Sequence, residues 1–564
     1  MTRGCVGALV AIALAAGLAL RLARLDARPM HHDEANQAVK FGALLERGEY
    51  RYDAHDHHGP TLYYLSLLAA KLRGQTTLAS LDERTLRGVT ATFGAATILL
   101  LPLLSAGVGR TAAAAGAILM ALSPAMVFYS RMFIQESLFA CFTLAFVIAI
   151  GRVVTGGGLA WSTLAGVAAG LAVATKETSV IVLPAALVAG AIAWSSLPRN
   201  PLAAGRWARA VLLSIATAVA VAALFYSSFL TAPRAVLDPF HAAGTYLDRG
   251  VDPASHVHPW HYYLGLLTYF SSGGLKWSEG LVLALAIVGA VTAWDLPRAV
   301  SRGGPDGARP ERAFWARYLT CNAIVATAIF SAIPYKTPWN LLPFYVGAIV
   351  LAGIGFSKLL HATTSRAVRG VVVAAFVVAS GHLGWQAWRA SVTYASDPRN
   401  PYVYAQTVPD AVRMATRIRE LAALHPDRAR MLVSVIASPH EQWPLPWYLR
   451  AMPHVGYWTA PGDALALQAP VVVASMDHTA VLDGALGDRY VSEFYGLRPE
   501  VLLMLYVDRG LWDRFLARLR EASAGQAGTT GDTAAAGCLG ASQPAAERCG
   551  HGPAVALWRA TSAP

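Results

Sequence analysis

The chain has 564 residues, 55% of them hydrophobic and 14% charged, against ~25% charged in an average soluble chain, and its mean hydropathy is +0.42. Much of it therefore has no water-facing side, which excludes an ordinary soluble enzyme and makes it a polytopic membrane protein. The basic excess, 46 Lys plus Arg over 34 Asp plus Glu for a net charge of +12, fits cytoplasmic loops and does not point to nucleic acid.

Residues 5–20 form an apolar run behind Arg3 with no small-residue cleavage site, so they read as an uncleaved first span. About 20 helical residues cross a hydrocarbon core of about 30 Å. Runs of that kind recur at 86–106, 111–129, 133–152, 159–175, 178–195, 208–230, 279–294, 314–333, 339–359 and 368–388. The expectation is thus an all-α polytopic protein of about eleven transmembrane helices. With Arg3 inside, alternate loops should be basic. They carry Arg110, Arg152, Arg199, Arg206 and Arg209, then Arg298, Arg302, Arg309, Arg312 and Arg317, then Lys358, Arg366 and Arg369. Arg21, Arg24 and Arg28 run against the pattern, which the other loops outweigh. The intervening loops mix both signs and are read as facing outward, with the N-terminus cytoplasmic and the chain in the plasma membrane.

The first outer loop, 25–75, is the densest polar stretch, with His31, His32, Asp33, Glu34, His55, Asp56, His57 and His58 between apolar segments. Asp33 and Glu34 open a stretch, 34–46, whose apolar spacing predicts an amphipathic helix in the interface, where acids suit the N-terminus. A carboxylate there can act as a general base or ligate a metal. Taken alone, the pair is more simply read as a helix cap and its neighbour. Residues 59–72 predict a second interfacial helix, with Tyr63 and Tyr64 at the boundary. Basic groups stand at the outer ends of spans: Arg84, Arg87, Arg131, Lys176 and Lys336. Each could snorkel, but several on one side suit a lipid phosphate. Glu136 lies just inside an apolar helix, five residues after Arg131, and is expected to line a polar cavity.

Beyond residue 390 the hydropathy falls, and an odd number of spans places this part outside. Apolar, β-branched runs at 430–438, 470–475 and 501–508 alternate with helical patterns at 409–424 and 510–522, which predicts an extracytoplasmic α/β domain over 391–564. Residues 523–553, rich in Ala, Gly, Ser and Thr, read as a flexible insertion before a last strand at 554–559. Cys538 and Cys549 lie in that insertion, paired or free, while Cys5, Cys141 and Cys321 sit in apolar runs as small hydrophobes, and no zinc-finger spacing occurs.

Taken in order, HHDEA in the first loop, SRMFIQE at 130–136, ATKETS at 174–179 and IPYKTPWNLLPF at 333–344 resemble the GT-C superfamily of membrane glycosyltransferases, in its branch of protein O-mannosyltransferases and aminoarabinose transferases. With WPLPWYLR at 443–450 and EFYGLRPE at 493–500, the chain is most similar to the flippase-activity-associated proteins of prokaryotic glycosylation loci. The resemblance spans residues 1–390. It implies a catalytic cavity at the outer membrane face, a polyprenyl-phosphate-linked sugar donor whose chain lies in membrane lipid, a glycan, lipid or protein acceptor, and inverting transfer. By position it implies that Asp33 activates the acceptor with Glu34 as partner, that Glu136 is the membrane-face acid, and that Arg131 and Lys176 lie near the donor phosphate. Arg84, Arg87, Lys336, His58 and Tyr63 join the expected substrate site. The histidines at 55–58 depart from the superfamily pattern. They leave open a divalent metal on His32, His55, Asp56 and His57, or a metal-free site. The competing reading is a flippase or transporter of lipid-linked sugar, or a non-catalytic accessory, in which the same bases hold headgroups without chemistry. The absence of an internal repeat and the clustering of polar residues at one face favour the enzyme.

Overall fold

The structure, a computed structural model, describes residues 1–48, 50–53, 58–197, 204–240, 244, 256–301 and 310–535. Each apolar run is a helix: α1 (Arg3–Leu22), then Glu83–Leu100, Arg110–Leu122 with Pro124–Ser130, Glu136–Val154, Leu159–Val173, Ser179–Trp194, Ala204–Tyr226, Gly280–Ser301, Pro310–Ala332, Leu342–His361 and Arg366–Trp388. Among the described residues seven helices are long and apolar enough to cross a membrane, or eight if Arg110–Leu122 and Pro124–Ser130, bent by 56°, form one span. The other expected crossings, Leu159–Val173, Ser179–Trp194 and the apolar part of Gly280–Ser301, are shorter. The bend has a local cause: Ser123 caps the second half by accepting the Met126 N–H, and Pro124 cannot extend the first.

The loops sort into two ends. At one, arginines reach across to neighbouring segments: Arg110 bonds the Met1 carbonyl, Arg152 that of Leu103, Arg206 those of Gly156 and Gly157, and Arg317 the Ser196 hydroxyl. At the other end lie α2 (His32–Arg47), α3 (Thr61–Leu72), a short antiparallel hairpin of β1 (Phe270–Ser272) and β2 (Leu275–Trp277), and the C-terminal part of the chain.

Close approach of the spans depends on glycine. A Cβ at Gly355 would lie 1.9 Å from the Leu285 carbonyl oxygen, one at Gly289 2.1 Å from that of Leu351, and one at Gly353 2.3 Å from that of Ala112. Helix Leu342–His361 is thus seated against two neighbours through backbone contact, as small residues permit in lipid. Gly355→Val is expected to force the helices apart and cost roughly 1–3 kcal/mol, read as a lower melting temperature of detergent-solubilised protein. An unchanged melting curve would mean the contact can relax.

The C-terminal part is a five-stranded mixed sheet in the order β4-β3-β5-β7-β6, with β3 (Val433–Ile436), β4 (Val455–Trp458), β5 (Val471–Ser475), β6 (Tyr490–Arg498) and β7 (Val501–Asp508). β3 pairs in parallel with β4 and β5, while β7 runs antiparallel to β5 and β6. β3 and β5 are buried along their whole length, as apolar runs at a sheet centre require. Helices Pro409–Leu424 and Arg509–Ala535 cover one face and Thr479–Leu486 the other. Helix Arg509–Ala535 runs into the segment read as a flexible insertion. The rest of that insertion, Cys538, Cys549 and the expected strand 554–559 lie outside the described residues, as do Arg199, Arg302 and Arg309.

Candidate active site

The first loop folds as the spacing predicts. Ala35, Ala38, Phe41 and Leu44 bury one face of α2, and Gly48, in the left-handed region at φ 69°, ends it. Its start is a capping box: His31 Nδ1 accepts the Asp33 N–H at 3.1 Å, and Glu34 Oε2 accepts the His31 N–H at 3.0 Å. His31 Nε2 lies 3.0 Å from the Tyr404 carbonyl. With Nδ1 accepting, the ring proton sits on Nε2 and donates to it.

Glu34, expected as a catalytic partner of Asp33, is instead a structural hub with 0% exposure. It takes N–H donors from Arg87 at 2.7 and 2.8 Å, from Phe133 at 2.8 Å and from Arg28 at 3.4 Å, besides His31. Burial pushes its carboxyl up, but Arg87 and Arg28 outweigh that and hold it down at about 2. Arg87 commits all its donors to Glu34 and to the carbonyls of Leu25, Arg28 and Pro29. Arg131 donates to the carbonyls of Leu20, Arg21 and Arg24, closing the C-terminal end of α1 where a cation is favoured. Neither is placed to hold a donor phosphate. Arg84 pairs with Asp26 at 2.9 Å on the exposed surface and belongs to no site with Asp33. The three arginines left over from the loop-charge pattern, Arg21, Arg24 and Arg28, are explained in part by the same knot: Arg21 is buried and donates to the carbonyls of Gly17, Met120 and Ala121.

Lys176 and Glu136 do meet. Lys176 Nζ lies 2.5 Å from Glu136 Oε1 and 2.8 Å from Asn340 Oδ1, all buried, and Glu136 Oε2 has no hydrogen-bond partner among the described residues. The expected polar cavity acid is thus the counter-ion of a buried lysine. The next residue, Glu177, accepts from Tyr52 at 2.7 Å and pairs with His58 Nδ1 at 2.7 Å. Burial raises its carboxyl, and His58 and Tyr52 bring it below the usual range. Tyr63 is buried and donates to Gln37, so it braces α3 against α2.

Asp33 is different from its neighbours in being 40% exposed, 3.8 Å from His31 Nδ1. It looks onto a rim that the bundle and the C-terminal part build together. His256 Nδ1 is 2.5 Å from the Tyr404 hydroxyl, with His258 Nε2 at 3.4 Å from the same oxygen. Trp339 sets its ring edge to His31 at 5.6 Å and to Tyr404 at 6.0 Å. Lys336 donates to the carbonyls of His258 and Ile333. Burial lowers the His256 imidazole, against the pull of Asp33, and lowers His258 together with His256 and Lys336. From the other side, His32 faces His440 at 6.1 Å and Trp443 at 5.9 Å, and Arg498 bonds the His440 carbonyl. Burial brings His32 down to about 4.

Of the residues named as possible metal ligands the structure describes His32 alone, its ring beside those of His440 and Trp443. Among the described residues no three His, Cys, Asp or Glu converge as ligands. His55, Asp56 and His57 lie outside the described residues.

Sequence reasoning missed His256, His258, Tyr404, His440 and Trp443. The stretch 255–263, SHVHPWHYY, carries the same His and aromatic density as the first loop and was a readable signal. It also missed Glu279, fully buried and bonded by Ser123, Tyr345, Tyr402 and the Ala125 N–H, which ties the bend after Leu122 to the segment carrying Tyr404.

A family model described as dolichyl-phosphate-mannose-protein mannosyltransferase matches residues 57–228. No curated protein matches the chain by sequence. The fold is similar to that of ArnT from Cupriavidus metallidurans bound to undecaprenyl phosphate, with a TM-score of 0.56 at 16% identity over 90% of this chain and 98% of that one. It is similar to archaeal oligosaccharyltransferase AglB from Archaeoglobus fulgidus, in complex with an inhibitory peptide and a dolichol-phosphate, with a TM-score of 0.54 at 13% identity over 90% and 76%. The S. cerevisiae protein O-mannosyltransferase Pmt1-Pmt2 complex bound to the sugar donor matches with a TM-score of 0.53 at 11% identity over 74% and 92%. What these likenesses establish is a common fold.

Proposed function

From a chain that has the GT-C fold of membrane glycosyltransferases, we propose an enzyme that transfers a sugar from a polyprenyl-phosphate-linked donor to an acceptor hydroxyl at the extracytoplasmic face, with inversion. The observation that carries this reading is Asp33: in a tetrapeptide whose other acid is locked, it alone offers a carboxylate to the open rim. The Asp33 carboxylate takes the acceptor hydroxyl proton as the oxygen attacks the anomeric carbon. The bond from that carbon to the phosphate oxygen breaks on the opposite face, and its electron pair leaves with the phosphate. Positive charge for the leaving group comes from Lys336, whose ammonium has a third N–H beyond its two carbonyl bonds, while Lys176, deeper in the bundle, is already balanced by Glu136. The orientation is supported by the arginines gathered at the opposite end, which the positive-inside rule assigns to the cytoplasm.

The test is transfer of radiolabelled sugar from polyprenyl-phosphate donors by protein reconstituted in liposomes, with envelope extract as acceptor. Labelled acceptor together with released polyprenyl phosphate is the expected result. Donor carried across the bilayer without cleavage would overturn it in favour of a flippase.

A further inference from the structure

We infer that the cleft between the helical bundle and the C-terminal sheet is a saccharide-binding site. Its volume is about 730 Å³, within the usual range of roughly 300–1,000 Å³ for small-molecule sites. One wall is helix Pro409–Leu424. Its apolar stripe, including Ala411, Met414, Ile418 and Leu421, packs on the sheet. The opposite stripe, Val412, Arg413, Thr416, Arg417 and Glu420, lines the cleft. On an ordinary surface helix that stripe would meet only water. Here residues 26–29 and Glu83 of the bundle close over it, with Tyr448, Arg450 and Tyr495 as further lining.

The charges identify the ligand class. Arg28, Arg413, Arg417, Arg419 and Arg450 face Asp26, Glu83 and Glu420 in the lining. Arg28, Arg413 and Arg417 are each paired from behind, with Glu34 at 3.4 Å, Asp410 at 2.8 Å and Glu493 at 3.2 Å, and Asp26 is paired with Arg84 at 2.9 Å, which leaves Arg419 and Arg450 against Glu83 and Glu420. Positive and negative groups therefore balance, and the walls suit neither a strong anion nor an apolar chain. They alternate guanidinium donors, carboxylate acceptors and tyrosine rings. A sugar, whose neighbouring hydroxyls both give and accept hydrogen bonds while its C–H face lies on an aromatic ring, uses all three. Arg450 is already held in place, 3.7 Å over the Trp447 ring and bonded to the Leu81 and Trp447 carbonyls at 2.7 and 2.8 Å, so little ordering is left to binding. Arg28 joins the cleft to the rim, because it also pairs with Glu34 at 3.4 Å, next to Asp33. Resting on the glycosyltransferase reading, the saccharide is the acceptor.

The experiment is saturation-transfer NMR on the full-length protein in nanodiscs, with mannotriose, maltotriose and chitotriose as probes and a glucuronic-acid disaccharide and a hexapeptide library as alternatives. Thr416→Trp fills the cleft and Glu420→Ala removes an acceptor, both at exposed positions of the helix. Binding of a neutral trisaccharide that weakens at least tenfold in both variants, and is kept in Asp33→Asn, is the result expected. Binding unchanged in Thr416→Trp, no trisaccharide binding, or capture of the acidic disaccharide or a peptide instead would overturn the inference. If wild type cleaves no donor yet binds trisaccharide in a Thr416→Trp-sensitive way, the glycosyltransferase reading falls and the cleft stands.

Discussion

Replacing Asp33 by Asn is expected to lower sugar transfer by roughly 10²- to 10⁴-fold, the usual contribution of a positioned general base, while leaving the melting temperature and donor affinity near wild type. The amide keeps the shape of the carboxylate but cannot take the acceptor proton. Asp33 is partly exposed, its carboxylate lies no closer than 3.8 Å to His31 Nδ1, and its backbone N–H, which the side chain does not affect, carries the bond to His31. Little of the fold therefore depends on its charge. Single-turnover transfer beside thermal unfolding separates the two effects. A loss of less than threefold would remove Asp33 from the chemistry.

The adjacent substitution should do the reverse. Glu34→Gln leaves Arg87 and Arg28 buried without their carboxylate, and breaking a buried pair from one side costs about 3–5 kcal/mol. The expected readout is a large fall in melting temperature and poor recovery of folded protein. Its pH dependence has a defined sign. The Glu34 carboxyl is held at about 2 in the folded chain, below the ordinary 4.5. Its contribution is therefore full above about pH 4.5 and is lost as pH falls toward 2. The gap in melting temperature between wild type and Glu34→Gln should narrow over that window. A constant gap from pH 7 to 3 would show that the destabilisation comes from packing and not from the charge.

Two neighbouring acids with opposite expected phenotypes show what sequence can and cannot convey. The eleven apolar runs, both interfacial helices and the strands at 433–436, 471–475 and 501–508 were legible because periodicity and run length encode burial directly. β4 and β6 were not, because VGYW is short and YVSEFYGLR, at the sheet edge, mixes polar and apolar residues. At the site, HHDEA announced a special place but could not say which acid turns inward. That depends on Arg87, 53 residues away, and on a backbone N–H at Phe133. The basic residues misled for a related reason: an arginine at a span end reads the same whether its partner is a phosphate or, as for Arg131, the carbonyls that end α1. His256, Tyr404 and Trp443 reach the rim from segments far apart in the chain, which single-sequence reasoning has no means to join.

The anchoring of residues 28–34 bears on speed as well as stability. Pro29 is bonded by Gln406, the Met30 N–H reaches the Tyr448 hydroxyl at 2.7 Å, and His31 is held between Tyr404 and Asp33. The sheet domain thus grips the approach to Asp33 while the buried arginines grip it from the bundle. A carboxylate carried on such a backbone has less main-chain freedom left to lose when an acceptor arrives, which, on the proposed role of Asp33, would raise its effective molarity toward the acceptor hydroxyl. Loosening the grip at Gln406, which lines neither the rim nor the cleft, would then slow turnover through entropy, without removing any group proposed to touch substrate.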